Sequence, residues 1–126
     1  MRFIPSKIHG LLDYLVAIVF ICLPWMLRFN GPNEATYVPV TLGILTILYS
    51  LITNYEWGVR KIIPMGMHLT IDLVAGLILA LSPWIFGFVS YIYLPHLLLG
   101  ILEMAVALTS SRFVTGVLPV VPADRL

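Results

Sequence analysis

Charged residues are scarce in this sequence, at 10% of 126 residues. Soluble domains carry about 25% charged residues, and about 45–50% of their residues are apolar. Here 60% of the residues are hydrophobic and the mean hydropathy is +1.02. Too few polar side chains are available to cover a fold in water, so the composition excludes an ordinary soluble domain. The net charge of +1 also argues against a nucleic-acid partner, which would require a basic face.

Cysteine occurs once, at Cys22, which excludes an intrachain disulfide and a multi-cysteine metal site. Cys22 lies in an apolar run and is expected to be a small buried side chain. The sequence also lacks a G-x-S-x-G motif, a phosphate-binding glycine loop and a C-x2-C pair. These absences favour a protein that is not an enzyme, with no catalytic residues and no bound cofactor.

Long apolar runs dominate what is present. A membrane-spanning helix needs about 20 mostly apolar residues, and four segments meet that requirement, at 6–27, 38–55, 64–88 and 93–111. Turn-forming or charged sequences separate them. The predicted fold is therefore an all-α membrane protein, a single membrane domain over 1–126 with four transmembrane helices in a bundle.

The basic residues predict the orientation of these spans. Six of the seven Lys and Arg residues fall on one side of the four spans, and Arg28 falls on the other. Because loops rich in Lys and Arg stay in the cytoplasm, both termini are expected there, including the tail at 113–126. The first span is expected to belong to the mature protein, since it ends in PWMLR and not in a small-residue cleavage site.

The two halves of the sequence repeat each other. A shift of 59 residues places His9 on His68, and both halves read I-P-x3-H-x3-D-x10-P-W-x3-F. Self-similarity at a fixed period predicts repeated structural units. The units are placed at 4–57 and 63–112, each with two spans, so both copies cross the membrane in the same direction.

A short motif lies at the end of the first and of the third predicted span. It reads SPWIFGF at Ser82–Phe88 and LPWMLRF at Leu23–Phe29, where Leu23 replaces the serine and Arg28 replaces the glycine. On these residues the chain resembles the SPW-repeat family of small bacterial and archaeal membrane proteins, over about residues 4–112. The resemblance implies two repeats, four spans and a place in the cell membrane, and it implies little about activity.

We interpret the motif as a helix end and interfacial anchor rather than a binding site. Proline bends a helix near its end, tryptophan favours the headgroup level, and glycine suits a close turn. Tyr55 and Trp57 are expected at the opposite, inner interface. The motif residues given this role are Pro24, Trp25, Ser82, Pro83, Trp84 and Gly87.

Ionisable residues inside the spans need an explanation, because each raises the free energy of membrane insertion by about 2.5–3.5 kcal/mol when it lies at a helix centre. His9 and Asp13 are four residues apart and share a helix face, as do His68 and Asp72. We expect His9 to pair with Asp72 and His68 with Asp13, so that the two repeats are held together by hydrogen bonds between helices.

Two residues of the fourth span, Glu103 and His96, complete the expected polar core. The alternatives are proton or ion handling through these axial His and acidic residues, or a metal or haem site at His9 and His68. The first hypothesis is a non-catalytic membrane protein without a metal ligand. Its expected partner is the lipid bilayer, with a homo-oligomer or an accessory role in a larger membrane complex left open.

Overall fold

Four helices make up most of the computed structural model, which describes residues 2–31 and 33–114. They are α1 (Ser6–Met26), α2 (Glu34–Leu51), α3 (Met65–Ile85) and α4 (Leu94–Thr109). The first three are long and apolar enough to cross a membrane, and α4 is a shorter apolar helix. The predicted all-α fold is confirmed, and its helices are compatible with a four-helix membrane bundle.

The largest difference from the predicted boundaries is at α2, which was expected at 38–55. The helix begins earlier because the side-chain oxygen of Asn33 accepts a hydrogen bond from the backbone N–H of Thr36 at 3.2 Å. It ends earlier because the following loop folds back, and its backbone N–H groups donate to the carbonyls of Leu51 and Ile52. Of the predicted tail, residues 115–126 lie outside the described residues.

Helices α1 and α3 begin and end alike. Each has 21 residues, follows a proline in the extended conformation, and contains a second proline in its last turn. Just beyond each helix the chain enters the left-handed region, at Arg28 with φ 58° and at Gly87 with φ 75°. Glycine takes this conformation without strain, whereas a side chain at Arg28 opposes it. The expected role of Gly87 in a close turn agrees with this backbone geometry.

Close packing occurs within two helix pairs, α1–α2 and α3–α4. A Cβ atom added to Gly43 would lie 2.7 Å from the carbonyl oxygen of Ala17, and one added to Gly76 would lie 2.8 Å from the carbonyl oxygen of Gly100. The backbones of paired helices therefore touch directly, as small residues allow in membrane helices.

The outer surface of the bundle is apolar, whereas much of its interior is polar. Large hydrophobic side chains such as Leu15, Ile78 and Leu98 are exposed, and Ser50, Thr46 and the histidines are buried. This arrangement suits a lipid environment. The expected burial of Cys22 is wrong, because its position on α1 faces outward with these hydrophobic side chains.

Candidate functional site: a buried His–Asp quartet

Four ionisable side chains meet inside the bundle, near the beginnings of α1 and α3. They are His9 and Asp13 from α1 and His68 and Asp72 from α3, and we call them the quartet. Each is at most 3% exposed. One ligand atom from each residue lies within 4.8 Å of the others. The four-residue spacing places histidine and aspartate on the same helix face, and the meeting of α1 with α3 brings the two faces together.

The quartet contains the contacts between helix pairs that the sequence predicts. His9 Nε2 lies 3.1 Å from Asp72 Oδ2, and His68 Nε2 lies 2.9 Å from Asp13 Oδ2. Each imidazole is also close to the aspartate of its own helix, at 3.1 Å from Asp13 Oδ1 for His9 and 3.2 Å from Asp72 Oδ2 for His68. The four side chains therefore form one cluster rather than two separate pairs.

The second nitrogen of each imidazole contacts a hydroxyl group that sequence reasoning missed. His9 Nδ1 lies 2.8 Å from Ser110 Oγ, and His68 Nδ1 lies 2.8 Å from Thr53 Oγ1. Both hydroxyls lie just after the end of the second helix of a pair. Thr53 and Ser110 are 57 residues apart, the same shift that superimposes the two LGIL segments. An alignment of the second span of each repeat at this shift would have identified Thr53 and Ser110 as equivalent residues.

Two tyrosines contact the aspartates from outside the quartet. The Tyr49 hydroxyl donates to Asp72 Oδ1 at 2.5 Å, and the Tyr55 hydroxyl donates to Asp13 Oδ2 at 3.2 Å. Burial, together with the nearby Asp13 carboxylate, raises the pKa of the Tyr55 hydroxyl, which favours its protonated, donating form.

Tyr55, expected as an aromatic anchor at the inner interface, has a side chain that is 1% exposed and packs inside the bundle. The loop after α2 folds inward, and Gly10 leaves the space that the Tyr55 ring fills. Trp57 is partly exposed, and its Nε1–H donates to the Lys7 carbonyl at 2.7 Å. Of the two aromatic residues expected at this interface, only Trp57 has a side chain that reaches the surface.

His96 lies apart from the quartet, near the ends of α1 and α3. It is fully buried, and its Nε2–H donates to the Ala35 carbonyl at 2.9 Å. The rings of Phe29 and Phe88 flank the imidazole at 5.5 and 5.0 Å between centroids. Because His96 belongs to α4 and Ala35 to α2, this contact also joins the two helix pairs, at the end of the bundle away from the quartet.

The remaining predicted residues do not join either contact. Glu103 is buried on α4 beside Gly76, within the α3–α4 pair. Ser82 Oγ donates to the Leu79 carbonyl at 2.7 Å in its own helix. The motif prolines, Pro24 and Pro83, are fully buried, whereas the motif tryptophans face outward: Trp25 is 55% and Trp84 is 49% exposed. The motif prolines therefore pack inside the bundle, and the motif tryptophans lie on its outer surface.

The geometry of the quartet does not fit a haem. The His9 and His68 rings are 5.3 Å apart between centroids and meet edge to face. A haem would need a flat space between the two ligating nitrogens, and the carboxylates of Asp13 and Asp72 fill that position. Two imidazole nitrogens and two carboxylate oxygens are, in contrast, a donor set that a single divalent transition metal ion can use.

Comparison with known proteins gives one match. The model of the SPW repeat domain matches residues 7–110, which include the quartet, both copies of the motif and nearly all of the four helices. No curated protein matches the chain, and no solved structure does. The resemblance seen in SPWIFGF is therefore confirmed over most of the sequence. The chain belongs to the SPW repeat family.

Proposed function

We propose that this SPW repeat protein is a small, non-catalytic membrane protein in which the quartet holds the two helix pairs together. The observation that supports this best is the pair of crossed contacts, His9 to Asp72 and His68 to Asp13. Each contact joins α1 to α3, which belong to different helix pairs. All four side chains are buried and engaged with one another, which favours a structural role over acid–base catalysis.

The membrane environment gives these contacts their importance. Lipid tails are as apolar as the helix surfaces, so helices associate through van der Waals packing and hydrogen bonds rather than through the hydrophobic effect. Hydrogen bonds between membrane helices contribute about 0.6–2 kcal/mol each. Removing one partner costs more than the bond contributes, because the other partner stays buried and unsatisfied. The quartet would therefore oppose separation of the helix pairs.

A cleavage experiment tests this proposal. The loop between the helix pairs is exposed around Val59, so a protease site can be inserted after Arg60 in the full chain. After cleavage in mild detergent, the two fragments of the otherwise unchanged protein should purify together. Replacing both Asp13 and Asp72 by alanine should let the fragments separate. Thr70→Ala is the matched control, because Thr70 lies between the quartet positions of α3 with an exposed side chain.

One outcome of the cleavage experiment would contradict the proposed function. If the fragments of the double alanine variant remain together as firmly as those of the Thr70→Ala control, the quartet does not hold the helix pairs together. The lipid bilayer would still be the expected partner, since the apolar outer surface does not depend on the quartet.

We also propose that both termini face the cytoplasm, which places the quartet in the inner half of the membrane. The six-to-one distribution of Lys and Arg supports this orientation. Reporter fusions at Asn33 and Ser90 should report the outside of the membrane, and a fusion after Leu126 should report the cytoplasm. A cytoplasmic signal from the Asn33 fusion would contradict the proposed orientation.

A further inference from the structure

We propose that the quartet binds one divalent first-row transition metal ion, through Nε2 of His9 and His68 and one carboxylate oxygen each of Asp13 and Asp72. The site rests on the proposed function, because the same four residues hold the helix pairs together. The metal ion would add a direct bond from each of the four side chains to a common centre.

The first support comes from the hydrogen atoms of the two hydroxyl groups. Thr53 Oγ1 lies 2.7 Å from the carbonyl oxygen of Tyr49, and Ser110 Oγ lies 2.7 Å from the carbonyl oxygen of Val106. Two oxygens this close need a hydrogen between them, and a carbonyl has none to give. Each hydroxyl therefore donates its one hydrogen to the carbonyl. Its oxygen can then only accept a hydrogen bond from the neighbouring imidazole.

The second support follows for the histidines. Because the hydroxyl oxygens accept, Nδ1 of His9 and of His68 must each carry a hydrogen at these 2.8 Å contacts. In a neutral imidazole only one nitrogen carries a hydrogen. Without a metal ion, Nε2 donates to a carboxylate by carrying a second hydrogen, as an imidazolium does; binding of a metal ion releases that proton and leaves a lone pair directed at the site. Metal-ligating histidines are commonly oriented in this way, by a hydrogen bond from the nitrogen that does not bind the metal.

The third support is the spacing of the ligand atoms. Around each Nε2 the two nearest carboxylate oxygens are almost equally distant, at 3.1 and 3.1 Å for His9 and at 2.9 and 3.2 Å for His68. A single N–H can point straight at only one oxygen, so equal distances are not what a simple hydrogen bond requires. Ligands bound at about 2.0–2.1 Å to a tetrahedral ion lie about 3.3 Å apart, close to these nitrogen–oxygen separations. The four ligand atoms lie within 4.8 Å of one another, so an ion would draw the wider-spaced atoms together.

The fourth support is charge. Metal binding requires neutral imidazoles and ionised carboxylates, and in that state the quartet would carry two negative charges; a buried charge without a partner is strongly disfavoured. A divalent cation neutralises the quartet in one step. Nitrogen ligands together with carboxylate oxygens favour Zn²⁺, Fe²⁺ or another first-row ion over Mg²⁺ and Ca²⁺, which prefer oxygen ligands alone.

The tyrosines leave one oxygen of each carboxylate for a metal ion. Tyr55 donates to Asp13 Oδ2, so the oxygen of Asp13 that remains is Oδ1, which lies 3.1 Å from His9 Nε2. Tyr49 donates to Asp72 Oδ1, while Asp72 Oδ2 faces both imidazoles. One oxygen of Asp72 is therefore oriented by a hydrogen bond and the other is directed to the centre, an arrangement typical of carboxylates that bind metal ions. The sequence alone favours an interpretation without a metal, because the H-x3-D spacing shows neither the hydroxyls nor the tyrosines.

Metal analysis of the full chain tests the site. The protein is purified in detergent with an affinity tag that contains no histidine, loaded with Zn²⁺, dialysed, and assayed for zinc per chain. Replacement of Zn²⁺ by Co²⁺ then reports geometry through its visible absorption. We expect one ion per chain and the intense bands of a tetrahedral cobalt site. Failure to retain Zn²⁺ or Co²⁺ in the unchanged protein would overturn the proposal.

Variants separate the quartet from chance binding at the surface. Asp72→Asn keeps the shape of the side chain but removes its charge, and should abolish retention of the ion. Thr53→Val removes only the hydroxyl that orients His68, and should weaken Zn²⁺ binding about 10–100-fold. Thr70→Val is the matched control and should bind as the unchanged protein does. Equal Zn²⁺ affinity in Thr53→Val and Thr70→Val would overturn the site even if Asp72→Asn fails to fold.

The two proposals fail in distinguishable ways. Only the metal site is wrong if the unchanged protein retains no ion while its cleaved fragments still stay together and those of the Asp13 and Asp72 double alanine variant separate. If an ion is retained but the fragments of the double alanine variant stay together, the ion is bound at a site that does not hold the helix pairs together.

Discussion

The helices contact each other differently within a pair and between pairs. Within the α3–α4 pair, Gly76 and Gly100 bring the two backbones into direct contact, and Gly43 does the same against Ala17 in the α1–α2 pair. Between pairs, the most specific contacts are polar: the quartet near one end and the bond from His96 to Ala35 near the other. Packing is governed by shape in the first case and by hydrogen bonding in the second.

The difference shows how a small membrane protein can specify its fold without a hydrophobic driving force. Glycine contacts bring two neighbouring helices close, and many apolar sequences could pack there. A hydrogen bond between His9 and Asp72 requires two particular atoms at one distance and one angle. On the proposed function, the polar contacts would set how far one helix pair is shifted along the other, whereas the glycines allow two paired helices to lie close together.

The largest effect is expected where the backbones touch. A methyl group added at Gly100 would meet the backbone of Gly76 and Ala80, which cannot move without shifting a helix. Gly100→Ala should lower the free energy of unfolding by about 1–3 kcal/mol, as overpacked cores do. Unfolding by denaturing detergent, followed by circular dichroism, measures the loss.

Gly66→Ala is the control for this change, because a Cβ atom there meets no neighbour within 4 Å. It should leave the free energy of unfolding unchanged or slightly higher, since alanine favours helix more than glycine does. Equal losses at Gly66 and Gly100 would show that close contact within the α3–α4 pair is unimportant.

A smaller effect is expected at His96. His96→Leu removes one hydrogen bond between the helix pairs but also removes a buried Nδ1 that has no partner among the described residues. The two changes partly cancel, so the free energy of unfolding should fall by about 1 kcal/mol or less. The same detergent titration measures it. A loss larger than that of Gly100→Ala would mean that the two helix pairs are joined mainly through His96.

Effects of about the same small size as at His96 are expected at the two turns that follow α1 and α3. Arg28→Gly should raise the free energy of unfolding by about 0.5–1 kcal/mol, because glycine accepts the left-handed conformation at φ 58° without strain. Gly87→Ala should lower it by about 1 kcal/mol for the converse reason, as no neighbour lies near the added Cβ atom. If both substitutions shift stability in the same direction, backbone strain at these turns is not the cause.

The fold could be predicted from the sequence because long apolar runs have few possible structures in a membrane. The error at α2 has a physical reason. Hydropathy identifies the part of a helix that suits lipid, whereas Asn33 and Glu34 are polar residues that begin the helix outside that part. At the other end, Asn54 and Tyr55 continue the sequence pattern of the span, but the loop folds inward there.

The site could be predicted only in part. Histidine and aspartate four residues apart predict a shared helix face, and the repeat predicts that two such faces meet. The partners Thr53 and Tyr55 depend instead on the path of the loop after α2, which local sequence does not determine. Ser110 alone is a polar residue at a helix end, and only its equivalence to Thr53 at the 57-residue shift of the second spans indicates that both hydroxyls have the same role; the contact with His9 itself needs the structure.

A double-mutant cycle between His9 and Asp72 tests most directly whether the quartet holds the helix pairs together. Asp72→Ala alone should lower the free energy of unfolding, because the imidazoles and Tyr49 lose a buried partner. Adding His9→Leu should recover part of that loss, with a coupling energy of about 0.5–1.5 kcal/mol measured by detergent unfolding. Full stability of both single variants, with a coupling energy of zero, would contradict a structural role for the quartet.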